Sequence, residues 1–187
     1  MALATWWQGD PLPELAPLPE FSARMATDRA ALANLCHSTE EKIAQRIQTG
    51  SQPYIAYMGN IAAAYGWVAA HFGEVTEIGL RFQVPVRQRY LWDFETLLPW
   101  RGHGIYPRLL QAIIHQQPPE IERFWILYQP GNRSSEIGIH KAGFQSILDF
   151  SIEERGFLGY ALNNAPRARE GAEFLQIPLV SRTEETC

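Results

Sequence analysis

Cysteine is scarce in this chain: 187 residues contain only Cys36 and Cys187, far apart and without a CxxC pair. That excludes a disulfide framework and a cysteine-built zinc site, and both residues are expected to be plain thiols. No apolar run approaches the ~18 residues of a membrane span. The start, MALATWWQGDPLPEL, lacks the basic and unbroken apolar regions of a secretory signal. A soluble, cytoplasmic protein with no membrane partner is expected. Basic residues are also in deficit. The 16 Lys and Arg against 20 Asp and Glu give a formal net charge of -4, with no basic stripe to follow a phosphate backbone, so nucleic acid is not an expected partner. The five histidines show no i, i+4 pairing and no cysteine partners, so no metal is expected.

What is present is apolar and aromatic: 46% of residues are hydrophobic and 12% aromatic, enough for one domain with a sizeable core. Residues 1–20 carry Pro11, Pro13, Pro17 and Pro19 beside Trp6 and Trp7. They read as an extended arm that packs its aromatics on the domain and offers a surface for a homodimer or another partner. Residues 21–164 read as the folded domain, and 165–187 as a tail. Within the domain, FSARMAT (21–27) reads as a strand, followed by helices over 28–38 and 39–50, the second capped by Thr39 and closed by Gly50. PYIAYMGN and IAAAYGWVA flank Gly59-Asn60 as a hairpin would, and TEIGLRFQV and RQRYLWDFETLL are β-rich. Ile105, Leu109, Leu110, Ile113 and Ile114 form one apolar helical face, closed by Pro118-Pro119. RFWILYQ, a short helix from Asn132, and two last strands complete an α+β order, with 87–129 as a parallel crossover.

The stretch RGHGIYPRLL (101–110) puts two glycines at the head of that helix, directly after a strand. A helix start leaves N–H groups unpaired and a positive dipole end outward, which attracts phosphate. Gly102 and Gly104 lack the Cβ atoms that would hold a ligand away, and Arg101 and Arg108 flank the site with positive charge. The same residues would also serve an ordinary tight turn. No Gly-Lys-Ser/Thr follows, so this is not a Walker loop.

About 30 residues on, a strand ends in Gln129-Pro130-Gly131 and NRSSEIGIHKAGF begins. Taken together, Arg101 and Gly104 followed by Asn132, Ser135, Lys141, Gly143 and Phe144 resemble the GNAT superfamily of acyl-CoA-dependent N-acyltransferases. The resemblance covers 21–164. It implies an α+β fold with a mixed, mostly antiparallel sheet, a parallel splayed strand pair at its centre and helices on both faces. It also implies acetyl-CoA as acyl donor and an amine as acceptor. Its pyrophosphate would sit on the N–H groups of Gly102, His103, Gly104, Ile105 and Tyr106, beside Arg101. Its pantetheine arm would run along Thr96, Leu97 and Leu98, with the Leu97 or Leu98 amide polarising the thioester and Asn132 and Ser135 on the far side. Asn132 also fits a helix cap.

The sequence departs from the family pattern twice. Tyr106 stands where the loop pattern ends in a small residue, so its side chain must point away from the phosphates. Ile139 stands where many relatives carry an acidic tyrosine; Tyr128 and Tyr106 are the substitutes, with His140 expected to face solvent. For the general base, Asp93 and Glu95 alternate with aromatics and should share a strand face, with Glu77 as a third candidate. A sheet-face polar pair accounts for the same residues. Two rival functions use the same sequence: an acyl-CoA sensor without catalysis, favoured by Ile139, and an interaction protein built on Trp6 and Trp7.

Overall fold

The computed structural model describes residues 1–154, 156–162 and 164–180. The elements run in the order β1 (Ala2–Trp7), β2 (Phe21–Met25), α1 (Arg29–Leu35), α2 (Glu40–Gln48), β3 (Ser51–Met58), β4 (Ile61–Ala69), β5 (Phe72–Val75), β6 (Leu80–Gln83) and β7 (Gln88–Thr96). They continue as α3 (Ile105–Gln116), β8 (Arg123–Tyr128), α4 (Arg133–Lys141), β9 (Gln145–Glu153), β10 (Gly156–Ala161), α5 (Ala165–Leu175) and β11 (Leu179–Val180).

Among the described residues nine strands form one sheet, ordered β11-β10-β9-β1-β8-β7-β4-β3-β2, while β5 and β6 make a separate hairpin. The sheet is antiparallel except at β7/β8 and at the short β10/β11 edge. Five helices cover it among the described residues. α3 and α4 pack on one face, over Ala2, Ala4, Leu91, Phe124 and Ile126. α1 and α2 lie on the other face over Tyr65 and Trp67, and α5 shares that face with the β5/β6 hairpin over Leu3 and Trp125. The α3 stripe read from the sequence is fully buried: Ile105, Leu109, Leu110 and Ile113 are 0 to 1% exposed, each worth about 1.5–3 kcal/mol of burial.

The first seven residues differ from the expected arm. Ala2–Trp7 forms a central strand, antiparallel to both β8 and β9. Ala2, Leu3, Ala4 and Thr5 are all buried, and Trp6 packs against Phe124 at 5.8 Å. Trp6 is therefore core, not a surface for a partner. The Arg123 and Arg167 guanidinium groups both lie over the Trp7 ring, 4.3 and 4.4 Å from its centroid. Residues 8–20 do run without helix or strand, crossing α3: Gln111 donates to Pro13 O at 2.9 Å, and Arg108 donates to Ala16 O. The described part of the expected tail, up to Val180, contains α5 and β11; Cys187 lies outside the described residues. No helix among the described residues is long and apolar enough to cross a membrane.

Candidate active site

Two adjacent strands part company at the centre of the sheet. β7 and β8 pair in parallel from Gln88↔Arg123 to Leu91↔Ile126 and no further, although β7 continues to Thr96 and β8 to Tyr128. The divergence begins where β7 carries an extra residue against β4: Trp92 pairs with Trp67 and Glu95 with Tyr65, so Asp93 and Phe94 oppose the single Gly66. Asp93 takes φ +52° there. Such a bulge bends its strand. Gly66 is required because the Phe94 ring lies where its Cβ would be, 2.1 Å away. The gap holds a cavity of about 280 Å³, bounded by Leu91, Asp93 and Phe94 on one side and by Ile126, Tyr128 and Asn132 on the other.

The glycine loop stands at the mouth of this gap. Gly102 has φ +82° and Gly104, which precedes the first residue of α3, has φ +72°. Among the described residues no side chain caps α3, whereas Asp28, Thr39, Asn132 and Asn164 cap α1, α2, α4 and α5. The first amides of α3 are thus left for another acceptor. Arg101 pins the loop to β7, with Nε donating to Thr96 O at 2.9 Å and a guanidinium N 3.4 Å from Glu95 Oε1. Arg108 donates back to Gly104 O at 2.7 Å. His103 Nδ1 lies 3.0 Å from Arg101 O.

The Leu97 amide does not face the gap. It donates to Ala63 O on β4 at 2.9 Å, so of the Leu97 and Leu98 amides only that of Leu98 remains for a thioester. By the alternation of an antiparallel ladder, the backbone of Thr96 then turns toward the open side.

Both carboxylates lie on the α2 side of β7, in different company. Asp93 meets Arg46 of α2 at 2.6 Å. The Arg46 guanidinium in turn lies 5.0 and 4.6 Å above the Trp67 and Trp92 rings. Glu95 accepts from Tyr65 Oη at 3.1 Å. Burial, then the Asp93 charge, raises the Tyr65 pKa, so it stays a donor. Glu77, the third candidate, lines the same cavity. Burial, then Asp93, also pushes the neighbouring Cys36 thiol up to about 11, which keeps it from acting as a thiolate at neutral pH.

Opposite these groups, Tyr128 is nearly buried and its hydroxyl is 2.7 Å from Ser146 Oγ. Tyr106 points into the domain: its ring packs 5.6 Å from Phe94 and against Gly138, where no Cβ would fit. Burial raises its pKa, and a hydrogen bond with Ser135 opposes that rise. Asn132 caps α4 through Oδ1, which accepts from Ser135 N–H at 3.2 Å, leaving its amide NH₂ for the cavity. Ile139 is fully buried, so α4 sends no acid from that position.

A larger recess of about 1150 Å³ lies between α2 and the β5/β6 hairpin, with Lys42, Arg46, Phe72, Arg81 and Trp92 among its walls. Trp92 borders both cavities, and the Arg46–Asp93 pair stands between them. The sequence reading missed this recess because it did not find the short β5.

The fold that carries this site has counterparts among solved structures. Aminoglycoside acetyltransferase AAC(6')-Ib, in complex with coenzyme A and kanamycin, matches 82% of this chain over 99% of its own, with TM-score 0.55 and 18% identity. An acetyltransferase from the GNAT family of Colwellia psychrerythraea matches 78% of this chain with TM-score 0.52 and 14% identity. This is the GNAT fold. RimL, a ribosomal L7/L12 alpha-N-protein acetyltransferase in complex with coenzyme A, shares the GNAT fold over 74% of this chain and 86% of its own, with TM-score 0.50 and 15% identity. Against longer GNAT proteins the chain spans about half their length, 52% of the Colwellia protein and 53% of one from Kribbella flavida. No family model matches the sequence, and no curated protein matches it.

Proposed function

We propose that this chain is an N-acetyltransferase that moves an acetyl group from acetyl-CoA to a primary amine by direct attack. The observation that carries the reading is the uncapped N-terminus of α3, opened by Gly102 and Gly104, at the mouth of the splayed β7/β8 gap. On this reading the amides of Gly102 to Tyr106, apart from those the loop uses itself, bind the pyrophosphate. Pantetheine lies along the open edge of Thr96, with Asn132 NH₂ and Ser135 opposite. The Leu98 amide stabilises the oxyanion of the tetrahedral intermediate.

The acceptor amine arrives from the α2 side and must lose a proton to attack. Glu95 is the better base. Asp93 is committed to Arg46 at 2.6 Å, whereas the Glu95 contacts with Tyr65 and Arg101 are longer, at 3.1 and 3.4 Å. Tyr128 then supplies a proton to the departing thiolate. The recess between α2 and the β5/β6 hairpin is large enough for a small molecule or a chain terminus.

Calorimetry with acetyl-CoA, followed by an acceptor screen for release of free thiol, tests this. Binding with thiol release supports an enzyme. Binding without release from any amine supports the sensor reading, which the buried Ile139 favours. No binding at millimolar acetyl-CoA removes both.

A further inference from the structure

Three side chains from three elements form a hydrogen-bonded file leading away from the cavity. Tyr128 Oη on β8 is 2.7 Å from Ser146 Oγ on β9, and Ser146 Oγ is 2.8 Å from His140 Nε2 on α4. β1 lies between β8 and β9, and its pairing sets Ala2 opposite Tyr128 and Ala4 opposite Ser146. These small residues leave room for the phenol to reach across β1. Tyr128 borders the cavity, while His140 is exposed, so the file links the gap to solvent.

Hydroxyl chemistry gives the file a direction. Each hydroxyl has one proton to donate. When His140 Nε2 donates to Ser146, Ser146 donates to Tyr128, and the Tyr128 proton is left for the cavity. An imidazolium can only donate, so protonated His140 enforces this direction.

Energetics favour the file over Tyr128 alone. Ordinary pKa values are about 10 for a phenol, 8.5 for a thiol and 6.5 for an imidazolium. Burial raises Tyr128 further, the Ser146 bond opposes this, and Glu136 on α4 and Asp149 on β9 add to the rise. The Met1 ammonium, at the head of β1, faces Asp149. Alone, Tyr128 would protonate a thiolate uphill. An imidazolium is a stronger acid than a thiol, so with an imidazolium as the net donor the transfer runs downhill.

We propose that Tyr128, Ser146 and His140 are a proton relay for the leaving group, with Tyr128 the catalytic acid and Ser146 and His140 positioning residues that resupply it. The proposal rests on the acyl-transfer reading. As the C–S bond breaks, sulfur takes the Tyr128 proton, Tyr128 oxygen takes that of Ser146, and Ser146 oxygen takes that of His140 Nε2. His140 regains a proton from solvent, which balances the one the acceptor amine gave up.

The test compares Tyr128→Phe, Ser146→Ala, Ser146→Thr and His140→Gln with the parent, measuring kcat and the KM for acetyl-CoA across pH. His140 is exposed, so its variant tests the relay even if Ser146→Ala folds poorly. The expected result is a several-fold lower kcat for Ser146→Ala and His140→Gln at unchanged KM, with recovery in Ser146→Thr. Tyr128→Phe/Ser146→Ala should be no slower than Tyr128→Phe alone, because members of one unit are not additive. The parent's advantage over His140→Gln should shrink as pH rises and imidazolium is lost. Without any donor present, the NMR titration of the His140 ring should move in Tyr128→Phe. Parental kcat in His140→Gln, or full additivity of the double variant, overturns the relay while leaving acyl transfer standing. A parent that transfers no acyl group overturns both.

Discussion

Arg46 of α2 and Asp93 of β7 meet at 2.6 Å across 47 residues of sequence, at the position where β7 bulges and Asp93 takes φ +52°. The pair joins the helix that borders the larger recess to the strand that opens the smaller cavity. Its two parts differ in energy. The side chains are 32% and 37% exposed, and such an ion pair contributes at most about 1 kcal/mol. The left-handed backbone costs a residue with a Cβ about 1–2 kcal/mol, which Asp and Asn offset with their short polar side chains.

Asp93→Ala should therefore lose more stability than Asp93→Asn, by about 1 kcal/mol, although both lose the charge. Urea denaturation of the two variants and of Arg46→Met checks this. If Arg46→Met costs as much as Asp93→Ala, the ion pair and not the backbone dominates.

The bulge also marks where the sequence stops being legible. The period of Ile105, Leu109, Leu110 and Ile113 gave α3 directly, because one apolar stripe meets one core. β1 was hidden because it is buried on both faces: ALATWW has no alternation to read, and the prolines after it suggest an arm. α5 was missed because Ala168, Gly171 and Ala172 on its buried face carry little hydrophobic signal, which leaves Phe174 and Leu175 at its end to mark it. For the site, the glycines of 101–106 and Asn132 announced a helix start and a cap by themselves. The loss of the Leu97 amide to Ala63, and the Ser146–His140 continuation behind Tyr128, depend on pairings across the sheet that no local pattern encodes.

Loop variants should separate strain from ligand exclusion. Valine at Gly104 would have to adopt φ +72°, a conformation a β-branched residue rarely takes, and its Cβ would lie 2.6 Å from Arg108 Nη1. That variant should lose stability as well as donor binding. Gly102 has φ +82°, and a Cβ there would meet none of the described residues within 4 Å. Gly102→Asn, which tolerates that backbone, should keep the melting temperature within a few degrees while weakening acetyl-CoA at least ~10-fold by calorimetry. Unchanged affinity would mean the loop is only a turn.

Asp10 and Arg167 supply an acid-sensitive tie. The carboxylate accepts two Arg167 bonds, at 2.6 and 2.7 Å, and the Trp7 N–H at 2.9 Å, fastening the end of β1 to α5. The Arg167 hydrogen bond, foremost, holds the Asp10 pKa below its ordinary 3.8. A depressed carboxyl contributes stability that is fully present above pH 3.8 and is lost as pH falls through the folded-state value. The parent should be more stable than Asp10→Asn by about 2 kcal/mol at pH 7, and denaturation in increasing acid should show that gap closing. A gap independent of pH would place the effect in packing instead.

The most direct prediction for the chemistry concerns Glu95. If it takes the acceptor's proton, directly or through a water, Glu95→Gln should lower kcat ~100-fold or more, the usual contribution of a positioned base, while acetyl-CoA affinity stays parental. The loss should shrink as pH rises, because an amine already neutral in solution needs no base. Tyr65→Phe removes the 3.1 Å hydrogen bond that orients the carboxylate. It should cost less than the loss of the carboxylate itself, with no change in the pH at which the Glu95→Gln defect is recovered. Asp93→Asn is the necessary comparison, since Asp93 lies two residues away on the same strand and lines the smaller cavity. A moderate loss at every pH is expected there, from a loosened α2. If Asp93→Asn instead shows the large, pH-recoverable defect and Glu95→Gln turns over like the parent, then Arg46 must release Asp93 when the acceptor binds, and the ion pair is part of the catalytic cycle.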